Sequence, residues 1–222
     1  TKDKPWKTWG KAFNATVILP GDTVYFRGGV YMKDLAEGQN DWYAPPRYYG
    51  GTGYGISRTG IAGKRVHYFA YPGESPILDC SNQKPSSGNS NYGIRSSADY
   101  CHIKGLTIRN LYQTSIEIEN VRGASLWGTD FIVENCTFHD INGAGLAIRD
   151  AYNAKIINCD AYNCSDVLGD LGVDPGNDGY GFSVSHSSDN KGSVYFKGCR
   201  AWRNGDDGFA YYSTSYVEND GC

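Results

Sequence analysis

In the second half of the chain, apolar positions fall in short alternating runs, not in helical stripes. Gly145-Leu146-Ala147-Ile148-Arg149, Gly181-Phe182-Ser183-Val184-Ser185 and Gly208-Phe209-Ala210-Tyr211-Tyr212 each open on a glycine. Each then alternates apolar with small or polar residues, as a strand does. A second phrase returns between them: Val133-Glu134-Asn135-Cys136-Thr137-Phe138, Ile157-Asn158-Cys159-Asp160-Ala161-Tyr162, and Lys197-Gly198-Cys199-Arg200-Ala201-Trp202. The chain stops at Gly221-Cys222, so the phrase cysteines stand 23, 40 and 23 residues apart. A fixed phrase at that spacing marks a coil repeat stacked on itself. Two short strands per turn of 23 residues, with no helical period between them, predict an all-β, right-handed parallel β-helix forming one domain over residues 1–222.

The first third is less regular. Trp6, Trp9 and Phe13 share one face of a helix expected over about residues 5–13, placed to plug the open end of the first coil. Pro20-Gly21-Asp22 signals a turn, and Thr23-Val24-Tyr25-Phe26-Arg27 alternates as a strand. Residues 34–63, rich in Gly, Pro and Tyr, read as an irregular surface loop. Their Gly50-Gly51-Thr52-Gly53-Tyr54-Gly55 run lacks the strand–loop–helix context of a nucleotide loop. Strands resume at Val66 and Pro76, and regular coils run over about residues 93–222. Residues 165–177 are an insertion that explains the 40-residue interval. The last repeat phrase has no cap after it, which predicts the N-terminal part of a longer solenoid.

Composition narrows the picture. The 29 glycines and 18 tyrosines suit tight turns and strands, and a single methionine argues against a helical bundle. No apolar run reaches the roughly 18 residues of a membrane helix. A net charge of -3 with no basic block makes nucleic acid a poor partner. Of the seven cysteines, Cys136, Cys159, Cys199 and Cys222 occupy equivalent repeat positions, where an unpaired interior stack is expected; Cys80, Cys101 and Cys164 lie outside it. Nothing suggests an oligomer, and a monomer is expected.

Candidate chemistry sits ahead of the strand-opening glycines. Asn177-Asp178-Gly179 and Asn204-Gly205-Asp206-Asp207-Gly208 bring Asp178, Asp206 and Asp207 to one corner of adjacent coils, roughly 4.8 Å apart. Asn-Gly and Asp-Gly are ordinary turn formers, but three stacked carboxylates repel unless a cation lies among them, and oxygen ligands favour calcium. Alternation points Ala147, Ser183 and Ala210 outward, and then Glu119, Arg149, Ser185 and Tyr212. Arg149 is the only cation in that row, a candidate base or substrate-binding residue. His186 reads as a surface histidine. Asp166, Asp170 and Asp174 read as a solvated acidic loop, with a second cation as the alternative. Trp42, Tyr43, Tyr48, Tyr49 and Tyr54 could stack on sugars or pack over a flank.

Pro5-Trp6-Lys7-Thr8 with Pro20 to Gly29 resembles the start of many extracellular β-helix polysaccharide lyases, and Asn158 to Gly208 resembles the family 9 pectate lyases. That resemblance implies calcium held by Asp178, Asp206 and Asp207, with Ala210 standing where the family has a further aspartate. The family's catalytic lysine would lie in a coil beyond Cys222. It also implies a secreted, cell-surface or periplasmic protein cleaving an acidic pectic polysaccharide, polygalacturonate or rhamnogalacturonan, by calcium-assisted β-elimination. A non-catalytic carbohydrate-binding or adhesin-like module is the alternative. A hydrolase using Asp206 and Asp207 as its acid pair is a third reading.

Overall fold

The computed structural model describes residues 4–32, 51–83, 90–115, 120–169, 174–186, 192–212 and 216–222. The chain winds as a parallel β-helix whose strands line up in three sheets. The first sheet holds Thr23–Phe26, Val66–Ala70, Cys101–Lys104, Ile132–Glu134, Ala154–Ile157, Ser193–Lys197 and Tyr216–Asp220. The second holds Gly29–Met32, Pro76–Asp79, Thr107–Leu111, Thr137–Ile141, Asp160–Cys164 and Arg200–Trp202. The third holds Gly51–Ile56, Ser90–Ser96, Val121–Thr129, Ala144–Tyr152, Phe182–Ser185 and Phe209–Tyr212.

Each coil therefore carries three strands where the repeat suggested two. The phrase built around cysteine is not one strand but two, joined at a corner. Asn135, Asn158, Gly198 and Gly221 turn that corner with φ of 52°, 49°, 60° and 64°. Only glycine, or a short polar side chain such as Asn, takes up this left-handed conformation cheaply. The cysteine that follows points inward. Cys136, Cys159 and Cys199 are fully buried and Cys222 is exposed, and all seven cysteines are free thiols. Corner amides keep the inter-coil ladder running: Asn135 N donates to Ile157 O at 2.9 Å and Asn158 N to Lys197 O at 2.8 Å. The repeat is thus a corner motif first and a strand motif second.

The strand-opening glycines form a second column with a different cause. An added Cβ on Gly123 would sit 2.5 Å from the carbonyl oxygen of Gly145, and one on Gly145 would sit 2.6 Å from that of Gly181. Here, near the start of the third-sheet strands, neighbouring coils approach too closely for any side chain.

The interior is one apolar stack that includes Phe138, Ile148, Phe182 and Phe196, each no more than 1% exposed. Its N-terminal end is closed by the helix Trp9–Asn14, which starts later than the hydrophobic pattern suggested because Thr8 caps it, accepting from Lys11 N. Trp9, Ala12 and Phe13 are its buried face, and Trp6 stays exposed. The Phe13 ring lies 5.3 Å from both Phe26 and Tyr68. The stretch read as an irregular loop contains a strand, Gly51–Ile56, paired with Ser90–Ser96; Tyr54 and Ile56 are core residues there, so Tyr54 offers no ring to a sugar. Its alternation is hidden because its partners in the pattern are glycines. Trp42, Tyr43, Tyr48 and Tyr49 lie outside the described residues.

Candidate functional site

The residue just ahead of each column glycine faces outward, and adjacent coils place these residues in register. Tyr92 pairs with Arg122, and Arg122 with Ala144; Tyr180 follows, its carbonyl accepting from Gly145 N at 2.8 Å. Two further outward rows run beside them. One is Arg95, Ser125, Ala147, Ser183 and Ala210; the other includes Arg149, Ser185 and Tyr212. Together they wall a polar cleft of about 150 Å³ on the outer face of the third sheet. It is lined by Asn120, Arg122, Arg149, Ser183, Ser185 and Tyr212, with Gln113, Asn142, Asp166, Asp178 and Tyr180 closing one side.

The insertion forms part of that side. Gln113 donates to Gly169 O at 2.7 Å and accepts from Leu168 N at 3.3 Å. Asp166 is buried, not solvated: one carboxylate oxygen accepts from Gly169 N at 2.8 Å, and the other has no hydrogen-bond partner among the described residues. Burial pushes its carboxyl above the ordinary range, and neighbouring Asp178 adds to the rise. Asp174 is exposed, and Asp170 lies outside the described residues. Tyr180 leans over the small residues beside it; Tyr180, Ala144 and Ala210 form a small buried apolar cluster, and the Tyr180 hydroxyl donates to Asn177 O.

The arginines are the other half of the cleft. Arg122 donates through one Nη to Asn120 Oδ1, and its other Nη is buried without a hydrogen-bond partner among the described residues. Burial lowers its pKa, and the nearby charges of Arg149 and Arg95 lower it further while Asp178 pulls the other way. Arg149 is exposed, as alternation predicted. Arg95 lies flat over Tyr92 at 5.1 Å and Trp127 at 4.7 Å.

Asp178, Asp206 and Asp207 share a corner by backbone: Asp206 N donates to Gly179 O at 3.2 Å, and Gly181 N to Asp207 O at 3.0 Å. Their side chains part company. Asp178 is half-buried and lines the cleft, whereas Asp206 and Asp207 are exposed and do not. Among the described residues no three His, Cys, Asp or Glu side chains stand close enough to hold one metal ion. Ala210, where the resemblance implies a further ligand, is buried against Tyr180. This donor set does not fit a preassembled calcium centre. His186 is buried, not on the surface, and burial lowers its pKa.

Arg122 and Tyr180 were missed as site residues because alternation was counted from the glycines onward; the available signal was the residue immediately before Gly123 and Gly181. Gln113 and Asn142 come from outside that column, and Asp166 reads in the sequence as part of a solvated loop.

Residues 1–222 match in full the family described as "Pel9A-like, right handed beta helix region". Pectate lyase L of Dickeya chrysanthemi is 27% identical over 216 residues, which cover 92% of this chain and 44% of that protein. Pectate lyase L of Paenibacillus polymyxa is 29% identical over 206 residues, 89% of this chain and 39% of that protein. A solved rhamnogalacturonan lyase superposes with a TM-score of 0.79 at 25% identity, covering 98% of this chain and 52% of its own. Pectate lyase Pel9A shares the fold at a TM-score of 0.69 and 21% identity, covering 100% of this chain and 50% of its own. The chain spans about half the length, or less, of these relatives.

Proposed function

Because the chain belongs to the Pel9A-like right-handed β-helix family, we propose that it forms the coils of a polysaccharide lyase acting on an acidic pectic polymer, polygalacturonate or rhamnogalacturonan. The observation that carries this reading is the open polar cleft on the third sheet, with Arg122 and Arg149 in it and no ion pair to either among the described residues. β-Elimination removes the proton on C5 beside the uronate carboxylate and expels the oxygen on C4. Positive charge on the carboxylate makes that proton easier to remove. Arg149 suits binding better than proton abstraction, because a guanidinium stays protonated in proteins. A polymer too large to cross a membrane places such an enzyme outside the cytoplasm, secreted, periplasmic or at the cell surface. Among the described residues no helix is long and apolar enough to span a membrane.

A second reading, a carbohydrate-binding module without turnover, is favoured by the cleft having no lysine or histidine among the described residues that line it. The assay is the ultraviolet absorbance of unsaturated product from either polymer, run on residues 1–222 and on the natural protein that contains them. The lyase reading expects product from the natural protein and at least a tenfold loss in Arg149→Met. Polymer binding with no product from either would establish the module instead.

A further inference from the structure

The arginines of the cleft are crowded and under-partnered. Arg122 bonds only Asn120 among the described residues, and Arg149 has no ion pair there. Arg95, stacked on Tyr92 and Trp127, adds a third guanidinium close enough to act on Arg122. Elsewhere the protein neutralises such groups: Arg109 is bonded to Asp79 at 3.0 Å, and Arg200 grips Asp160 at 2.8 and 2.7 Å. A half-buried guanidinium with an idle N–H is costly unless an anion completes it.

We propose that Arg122 and Arg149 hold the carboxylate of an acidic sugar directly, with no bridging cation, while Asn120, Asn142, Ser183 and Ser185 meet its hydroxyls. The inference rests on the acidic-polymer reading above and adds how the anion is recognised. Three observations separate direct recognition from a cation bridge. Asp206 and Asp207 turn away from the cleft. Ala210 supplies no oxygen. Asp178, the one corner carboxylate that does reach the cleft, shares it with Arg122 and Arg149, whose positive charge would repel a divalent ion there. The planar fork of arginine matches a carboxylate in a way a point charge does not.

The probes are a galacturonate tetramer, a rhamnogalacturonan oligomer and a neutral galactose tetramer, titrated calorimetrically with calcium and then with a chelator. Direct recognition expects one acidic oligomer to bind with affinity within about twofold in both buffers, and the neutral one to bind at least tenfold more weakly. Arg149→Met should weaken acidic binding about tenfold or more, the range of a charge-assisted hydrogen bond. Arg122→Lys, which keeps the charge and loses the fork, should also weaken it. Arg149 is exposed, so its variant tests the idea even if Arg122 variants misfold. Acidic binding that appears only with calcium would overturn direct recognition and leave the lyase reading standing. Equal binding of the neutral tetramer would overturn direct recognition too. No binding of any acidic oligomer, with or without calcium, would overturn both.

Discussion

The outer faces of the second and third sheets are built from the same coils, yet they treat charge in opposite ways. On the second, Asp79, Arg109, His139, Tyr162 and Trp202 form one outward column. Arg109 is tied to Asp79, His139 to Asp140, and Arg200 to Asp160. Tyr162 is stacked between His139 at 4.8 Å and Trp202 at 4.5 Å. Each of these charged groups is paired on that face. On the third sheet Arg122, in the column ahead of the glycines, shares the cleft with Arg149 and Asp178, and among the described residues neither arginine makes an ion pair. A self-satisfied face stabilises the solenoid, whereas an unsatisfied one is free to bind. The contrast is the reason for placing the candidate site on the third sheet and not on the second.

The largest effect should come from removing the frame that separates the two faces. Gly123→Ala would press a Cβ to 2.5 Å from a backbone carbonyl, and overpacking of this kind costs about 1–3 kcal/mol, the upper end being expected against backbone that cannot move aside. Urea denaturation measures it; a loss under about 0.5 kcal/mol would mean that the column is not the constraint it looks like.

The first sheet supplies a pH test of a closed face. Burial pulls His102 down to about 4, against the attraction of Glu134 and with help from His67 and Lys104. Its folded pKa lies below the unfolded value near 6.5, so the unfolded chain takes up a proton first. Stability should be full above about pH 6.5 and decline as pH falls towards 4, by about 2 kcal/mol after discounting for partial exposure. Denaturation at stepped pH in the parent and in His102→Gln checks it, and identical profiles would remove His102 as the cause.

The arginines test the comparison directly. Arg109→Met leaves Asp79, 6% exposed, short of its charged donor and should cost about 1–2 kcal/mol. Arg122→Met removes an under-partnered guanidinium and should cost nothing or stabilise by up to about 1 kcal/mol. If the two variants lose equal stability in thermal unfolding, the faces do not differ as claimed.

The smallest effect is at a corner. Asn110, Asp140 and Asn163 turn between the second and third sheets with φ of 59°, 55° and 53°, and Arg203 repeats the turn at 54°. Arg203→Asn should stabilise by about 0.5–1 kcal/mol, since Asn tolerates this backbone better. No change in melting temperature would show that the corner is too mobile to store strain.

Sequence alone determined the solenoid. Corners that need Asn, Asp or Gly, and an interior that accepts Cys at one place per coil, are local requirements, and local requirements repeat visibly. It also placed Arg149 outward and put the backbones of Asp178, Asp206 and Asp207 at one corner, because alternation and register follow from spacing. Three things were not legible. The extra strand of each coil was hidden because the cysteine phrase holds two strands, each only three to five residues long in the regular coils, too short for a period. The strand Gly51–Ile56 is masked by its glycines. The cleft depends on where side chains go after the backbone is placed. Asp206 and Asp207 turn out to solvent while Asp178 turns in, and Arg122 reaches the cleft from the position just ahead of Gly123. Gln113, 55 residues from Leu168, pins the insertion that buries Asp166. Repetition encodes the backbone one coil at a time; the site is made of differences between coils, and those meet only when the coils stack.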